Sequence, residues 1–270
     1  MTQLASSQGG AAHSPSSKAS ANGEAGANVL MDQVVMFGDS ITQGSWVAGG
    51  TGAELANKWQ RKLDVVNRGL SGYNTEWAIP IMKQWLPRTD ERLPGIRLMF
   101  VWFGANDACL PPSPQAISIK RFKENLHTIS SLLRSPTSPY HSPTTQLVFI
   151  TPPPVDADTR NSELASRDPP RPADRDAEWT RKFAEAVKEV AAELKVPAVD
   201  VWTRIDEAAK RDGGLETYLS DGLHLTPAAY EIVTAAITET IQRDLPHLHW
   251  DNLEQTFPHW THWIPPSKRF

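Results

Sequence analysis

Apolar residues in this chain gather into short runs, and between the runs they recur at the three-to-four-residue spacing of amphipathic helices. The first run, Gln33-Val-Val-Met-Phe-Gly38, is continuous rather than alternating and stops at a glycine, as a parallel strand buried on both faces does. A turn opens at Asp39-Ser40. Helical spacing is then expected from about Gly52 to Leu63, a second strand over Asp64 to Asn67, and a helix over Thr75 to Trp85 that Pro87 stops. Arg97 to Phe103 is the third strand, Ser118 to Arg134 a helix with a polar face, and Gln146 to Thr151 the fourth strand. Pro152 to Arg175, rich in proline and charge, is expected to be a long surface loop bordering the site. A helix over Arg175 to Leu194, a fifth strand over Ala198 to Val201 and a last helix over Pro227 to Arg243, with Thr226 as its N-cap, complete the order. This β-α alternation predicts an α/β fold, a parallel sheet of about five strands with helices on both faces and a ligand crevice outside the carboxyl ends of the strands.

Length and composition narrow the picture. A chain of 270 residues without internal repeats suits one such domain, expected over residues 29–244. Residues 1–28, dominated by Ala, Ser and Gly, have too little apolar surface to offset the entropy of ordering and are expected to be a disordered tail. They lack the apolar core of a secretory signal, and no stretch of roughly 20 apolar residues suggests stable membrane insertion. Residues 245–270 carry Trp250, Phe257, Trp260, Trp263 and Ile264, which are expected to dock on the domain or on a partner subunit in a homodimer. A net charge of -4 without blocks of like charge argues against nucleic acid as a partner. The single cysteine, Cys109, precludes an intramolecular disulfide and fits a reducing, cytoplasmic location. His247, His249, His259 and His262 do not have zinc-site spacing, and no metal or other cofactor is expected.

Four short segments carry residue types that acyl transfer requires. Gly38-Asp39-Ser40-Ile41-Thr42 puts a serine directly after the first strand, where a tight turn presents its hydroxyl as a nucleophile and its N–H to a developing oxyanion. Gly72, in Asn67-Arg68-Gly69-Leu70-Ser71-Gly72-Tyr73-Asn74, follows the second strand and offers a backbone N–H where a side chain would clash. Asn106, in Gly104-Ala105-Asn106-Asp107 after the third strand, has an amide NH₂ for the same oxygen. Asp221 and His224 stand at i, i+3 before the last helix, so that Asp221 can orient Nδ1 of His224 while Nε2 takes the proton of Ser40. Asp39 and Asp107 read as turn carboxylates, Cys109 as a small buried hydrophobe, and Trp46 as a core side chain or the wall of an acyl pocket.

GDSIT, NRGLSGYNT, GANDAC and LSDGLHLT, in this order, resemble the blocks of the SGNH, or GDSL, hydrolase superfamily, and within it the isoamyl acetate-hydrolysing esterases. The resemblance spans about Val34 to Gln242. It implies a three-layer α/β/α, flavodoxin-like fold and a metal-free serine esterase acting on small-molecule esters such as short-chain acetates. The triad would be Ser40, Asp221 and His224, with an oxyanion hole of Ser40, Gly72 and Asn106. The same machinery also suits carbohydrate O-deacetylation or acyl transfer, and a binding module could keep the fold without the chemistry.

Overall fold

Among the described residues, five parallel strands form one sheet in the order β2-β1-β3-β4-β5. They are β1 (Gln33–Gly38), β2 (Asp64–Gly69), β3 (Ile96–Trp102), β4 (Gln146–Ile150) and β5 (Ala198–Val199). The computed structural model describes residues 29–265 and 267, so the expected tail, 1–28, lies outside the described residues. The strands alternate with helices α1 (Ser40–Gln43), α2 (Thr51–Lys58), α3 (Thr75–Trp85), α4 (Ile119–Arg134), α5 (Ala157–Ala165), α6 (Ala177–Leu194), α7 (Val201–Asp212) and α8 (Pro227–Asp244). This is the three-layer α/β/α arrangement that the order of apolar runs predicts.

The continuous apolar runs have a simple cause, because successive side chains of a strand point to opposite faces and both faces are covered. Val34 and Met36 of β1, Leu98, Phe100 and Trp102 of β3, and Val148 and Ile150 of β4 share a core with α2, α7 and α8. Their neighbours Val35, Phe37, Met99, Val101, Leu147 and Phe149 share the other core with α3, α4 and α6. Each such side chain, fully removed from water, stabilises the fold by about 1.5–3 kcal/mol. The helices start where a short polar side chain accepts a free N–H. Asn74, Ser118, Asp156, Asp176, Asp200 and Thr226 cap α3 to α8 in turn, each contributing on the order of 1 kcal/mol.

Two elements depart from expectation. The stretch from Pro152 to Arg175 is not loop throughout, since it holds α5, begun by the Asp156 cap. Its buried residues are Arg160 and Leu164, so apolar periodicity could not reveal it. The fifth strand ends at Val199, and Val201 opens α7 instead. The Asp200 cap and the buried Val201, Ile205, Ala208 and Ala209, at i, i+4, i+7 and i+8, explain the switch.

Residues 31–258 form one compact unit. Within it Leu245, Leu248 and Trp250, beyond α8, join the core on the α2 side. Trp59 Nε1 donates to the Leu248 carbonyl at 3.0 Å, and the Trp59 and Trp250 rings meet edge to face. In the second unit, Trp260–Trp263 is a short 3-10 turn whose two tryptophans are exposed. No helix among the described residues is long and apolar enough to cross a membrane.

Candidate active site

β1 lies between β2 and β3, the point of strand-order reversal at whose carboxyl end α/β sheets of this kind form a ligand crevice. Ser40 stands one residue beyond the end of β1, after the N-cap Asp39, as the first residue of α1. The Asp39 carboxylate accepts the Ile41 N–H at 2.9 Å, and Tyr230 Oη of α8 donates to the Ile41 carbonyl at 2.7 Å. These bonds fix the short helix, and with it the serine.

Ser40, His224 and Asp221 stand in line. Ser40 Oγ lies 3.0 Å from His224 Nε2, and His224 Nδ1 lies 2.8 Å from Asp221 Oδ2. An ionised carboxylate can only accept, so Nδ1 carries the ring proton and Nε2 is left to accept from the serine hydroxyl. Asp221 Oδ1 takes the N–H groups of Leu223 and His224 at 3.1 and 2.8 Å. Burial would raise the Asp221 pKa, but the hydrogen bonds from His224 and the charges of His224 and Arg160 prevail and hold it well below the ordinary carboxylate range. The turn itself is closed by Ser220 N–H to the His224 carbonyl and by a Leu219–Leu225 bridge.

Gly72 and Asn106 sit on the loops after β2 and β3, and hydrogen bonds stitch those loops to each other and to α1. Gln43 Oε1 accepts from Ser71 N–H at 2.9 Å, Gln115 Nε2 donates to the Gly72 carbonyl at 2.7 Å, and Asn106 Nδ2 donates to the Tyr73 carbonyl at 2.9 Å. Gly72 has φ +81°, a conformation in which a side chain would be strained. One proton of the Asn106 amide is used by Tyr73, which leaves the second for a ligand.

Asp39 and Asp107 are both buried here. Asp107 accepts from Thr75 N–H and Oγ1 and from Gly104 N–H, which ties the β3 loop to α3. Burial pushes the Asp39 carboxyl up to about 7, with Asp107 adding to the rise and the Ile41 N–H, His224 and Arg175 opposing it. Burial likewise carries Asp107 up to about 6 against the hydrogen bonds from Thr75 and Gly104. Both pKa values lie above the 3.8 of an unperturbed aspartate, so the stability these groups confer is whole below about pH 4 and is lost as pH rises through about 6 to 7. Asp39→Asn keeps a cap acceptor and stays neutral. It is expected to raise Tm by about 5 °C at pH 8 and hardly at all at pH 4. Thermal melts at the two pH values check this, and equal shifts at both would remove the Asp39 charge as the cause.

Sequence reasoning missed two arginines that the segment between β4 and α6 delivers. Arg160 Nη1 lies 2.5 Å from Asp221 Oδ2, and Arg175 Nη2 faces Asn106 Oδ1 at 3.5 Å. Neither had a signal in the sequence, because a charged residue in a proline-rich stretch reads as a solvated surface. Arg175 also touches Cys109 Sγ and pairs with Asp174. Burial nevertheless pushes the Cys109 thiol up to about 11, with the Arg175 charge opposing, so it remains a thiol at neutral pH. Trp46 lies across Gly52, where a Cβ would come within 2.2 Å of the indole, and packs against the core on the α2 and α8 side.

Residues 36–232 match the model of the GDSL-like Lipase/Acylhydrolase family. A GDSL esterase/lipase of Arabidopsis thaliana is 34% identical over 253 residues, covering 89% of this chain and 98% of the relative. An isoamyl acetate-hydrolyzing esterase 1 homolog of Bos taurus is 34% identical over 241 residues, covering 86% and 92%. In fold the chain is similar to the crystal structure of a lipase/acylhydrolase from Enterococcus faecalis, with a TM-score of 0.56 and 24% identity over 84% of this chain and 100% of that one.

Proposed function

The chain belongs to the GDSL-like lipase/acylhydrolase family and is a hydrolase of ester bonds, and from that premise we propose that Ser40, His224 and Asp221 are its catalytic triad and that small esters with short acyl chains, acetates among them, are its substrates. The observation that carries the triad is the unbroken line from Ser40 Oγ through both nitrogens of His224 to Asp221 Oδ2, at 3.0 and 2.8 Å. The substrate class is supported by the similarity to relatives named for isoamyl acetate hydrolysis.

Chemistry at this geometry runs in two halves. As Ser40 Oγ attacks the ester carbonyl carbon, its proton passes to His224 Nε2, and Asp221 stabilises the imidazolium through Nδ1–H. The carbonyl oxygen becomes an oxyanion, held by the N–H groups of Ser40 and Gly72 and by Asn106 Nδ2. Neither backbone N–H donates to a protein acceptor among the described residues. Collapse breaks the ester C–O bond, and the alcohol leaves with the proton from His224. Water then loses a proton to Nε2, attacks the acyl-serine, and the acid departs as Ser40 recovers its proton.

A panel of p-nitrophenyl esters of increasing acyl length tests the substrate reading. Turnover is expected to be greatest from acetyl to butyryl and to fall about 10-fold or more by octanoyl, since each misfitting methylene is worth about 1–3 kcal/mol. A kcat/KM that rises steadily to long chains would overturn it.

A further inference from the structure

The Asp221–His224 pair is backed by a third group that belongs to none of the four motif blocks. Gly222, at φ +79°, lies so close to α5 that an added Cβ would stand 2.6 Å from Arg160 N and from the Asp156 carbonyl. Asp156 N–H donates to the Gly222 carbonyl at 2.9 Å. The turn that carries the catalytic acid is thus seated on the first turn of α5. From there Arg160, whose side chain is only 8% exposed, extends Nη1 to Asp221 Oδ2, the same oxygen that accepts from His224 Nδ1.

Arg160 is itself braced. Nη1 also pairs with Glu163 Oε2 at 2.9 Å, and Arg167 grips both Glu163 oxygens at 2.8 and 2.9 Å. Asn161 ties the same helix to the chain at Asp174 and Arg175 through three hydrogen bonds. The result is a relay of alternating charge, Arg167–Glu163–Arg160–Asp221–His224, that ends on Ser40. A buried guanidinium tied so closely to one carboxylate oxygen fixes where that oxygen sits and opposes a positive charge on the imidazole beyond it.

Resting on the triad reading above, we propose that Arg160 is a positioning residue of the reaction, which locks Asp221 Oδ2 in line with His224 Nδ1 and tunes the basicity of the pair from the segment between β4 and α6. The charged groups around His224 set the sign. Asp39 and Asp221 act on His224 by charge, Asp107 and Arg175 act on Asp39, Arg160 acts on Asp221, and Glu163 and Arg167 lie one step behind Arg160. Removing the Arg160 charge makes the base harder to deprotonate, so the acid limb of kcat/KM moves to higher pH.

The test is the pH profile of Arg160→Gln and Arg160→Lys against wild type, with Ser40→Ala alongside. Arg160→Gln is expected to lower kcat about 10-fold and to move the acid limb up by about half to one pH unit. Arg160→Lys, which keeps the charge but not the fork, is expected to restore the limb and recover part of kcat. If Arg160→Gln does not fold, Glu163→Gln strips the counter-charge from Arg160 and is expected to move the limb the other way, to lower pH. An acid limb that stays in place in the folded variant, whatever the change in Tm, reduces Arg160 to a structural role and overturns the inference. Activity surviving in Ser40→Ala would instead overturn the triad reading.

Discussion

Ser40→Ala and His224→Ala are each expected to lower kcat by about 10⁴- to 10⁶-fold, and the double variant to be no worse than either alone, because the two residues act as one unit. The fold should tolerate both. The Ser40 hydroxyl bonds His224 and nothing else among the described residues, and alanine is the better helix former at the start of α1. Steady-state rates on a short-chain ester, with thermal melts run alongside, check this. Residual activity above about one hundredth of wild type in Ser40→Ala, far more than an oxyanion hole alone leaves in other triad enzymes, would dismiss it as the nucleophile. Asp221→Ala is expected to fall short of the same loss, since His224 keeps its bond to Ser40 while losing the acceptor that fixes its tautomer.

The second large effect is expected at Asn106. Its amide is the one proposed oxyanion donor that a substitution can remove, whereas the N–H groups of Ser40 and Gly72 belong to the backbone. Asn106→Ala should cost about 100- to 1,000-fold in kcat with KM nearly unchanged, the signature of a contact made chiefly in the transition state. The side chain also donates to the Tyr73 carbonyl, and its loss leaves that carbonyl unpaired at a cost of about 1–3 kcal/mol of stability. A fall in Tm is therefore part of the expectation. What decides the assignment is kcat measured well below the melting range, and an unchanged value there would exclude Asn106 from the oxyanion hole.

How far such a site can be read from a sequence depends on what holds each part in place. β1, β3 and β4 were legible because burial on both faces leaves uninterrupted apolar runs, as in Met99 to Phe103 of β3 and its loop. α6 and α8 were legible from their spacing, and Thr226 was legible as a cap because its side chain does what threonine does before a helix. Ser40, Gly72, Asn106, Asp221 and His224 stand at strand ends or turns, where residue type and position speak together. α7 had a readable signal in its i, i+4, i+7, i+8 spacing, masked by a start that continues the apolar run of β5. α5 had no apolar stripe, because what it buries is one arginine and one leucine. Arg160 and Arg175 gain their meaning only from where α5 lies, a tertiary fact that local pattern does not encode.

One consequence follows from the bond between Tyr230 and Ile41, which joins positions 189 residues apart. The proposed nucleophile and its proposed base are themselves 184 residues apart, and the short helix that aims the serine is clasped by α8. The proposed site is therefore assembled by contacts of long sequence separation, which are rewarded only after the chain between them is ordered. A chain in which α8 has not docked holds its serine without the Tyr230 clasp, and activity is expected to appear only with that docking.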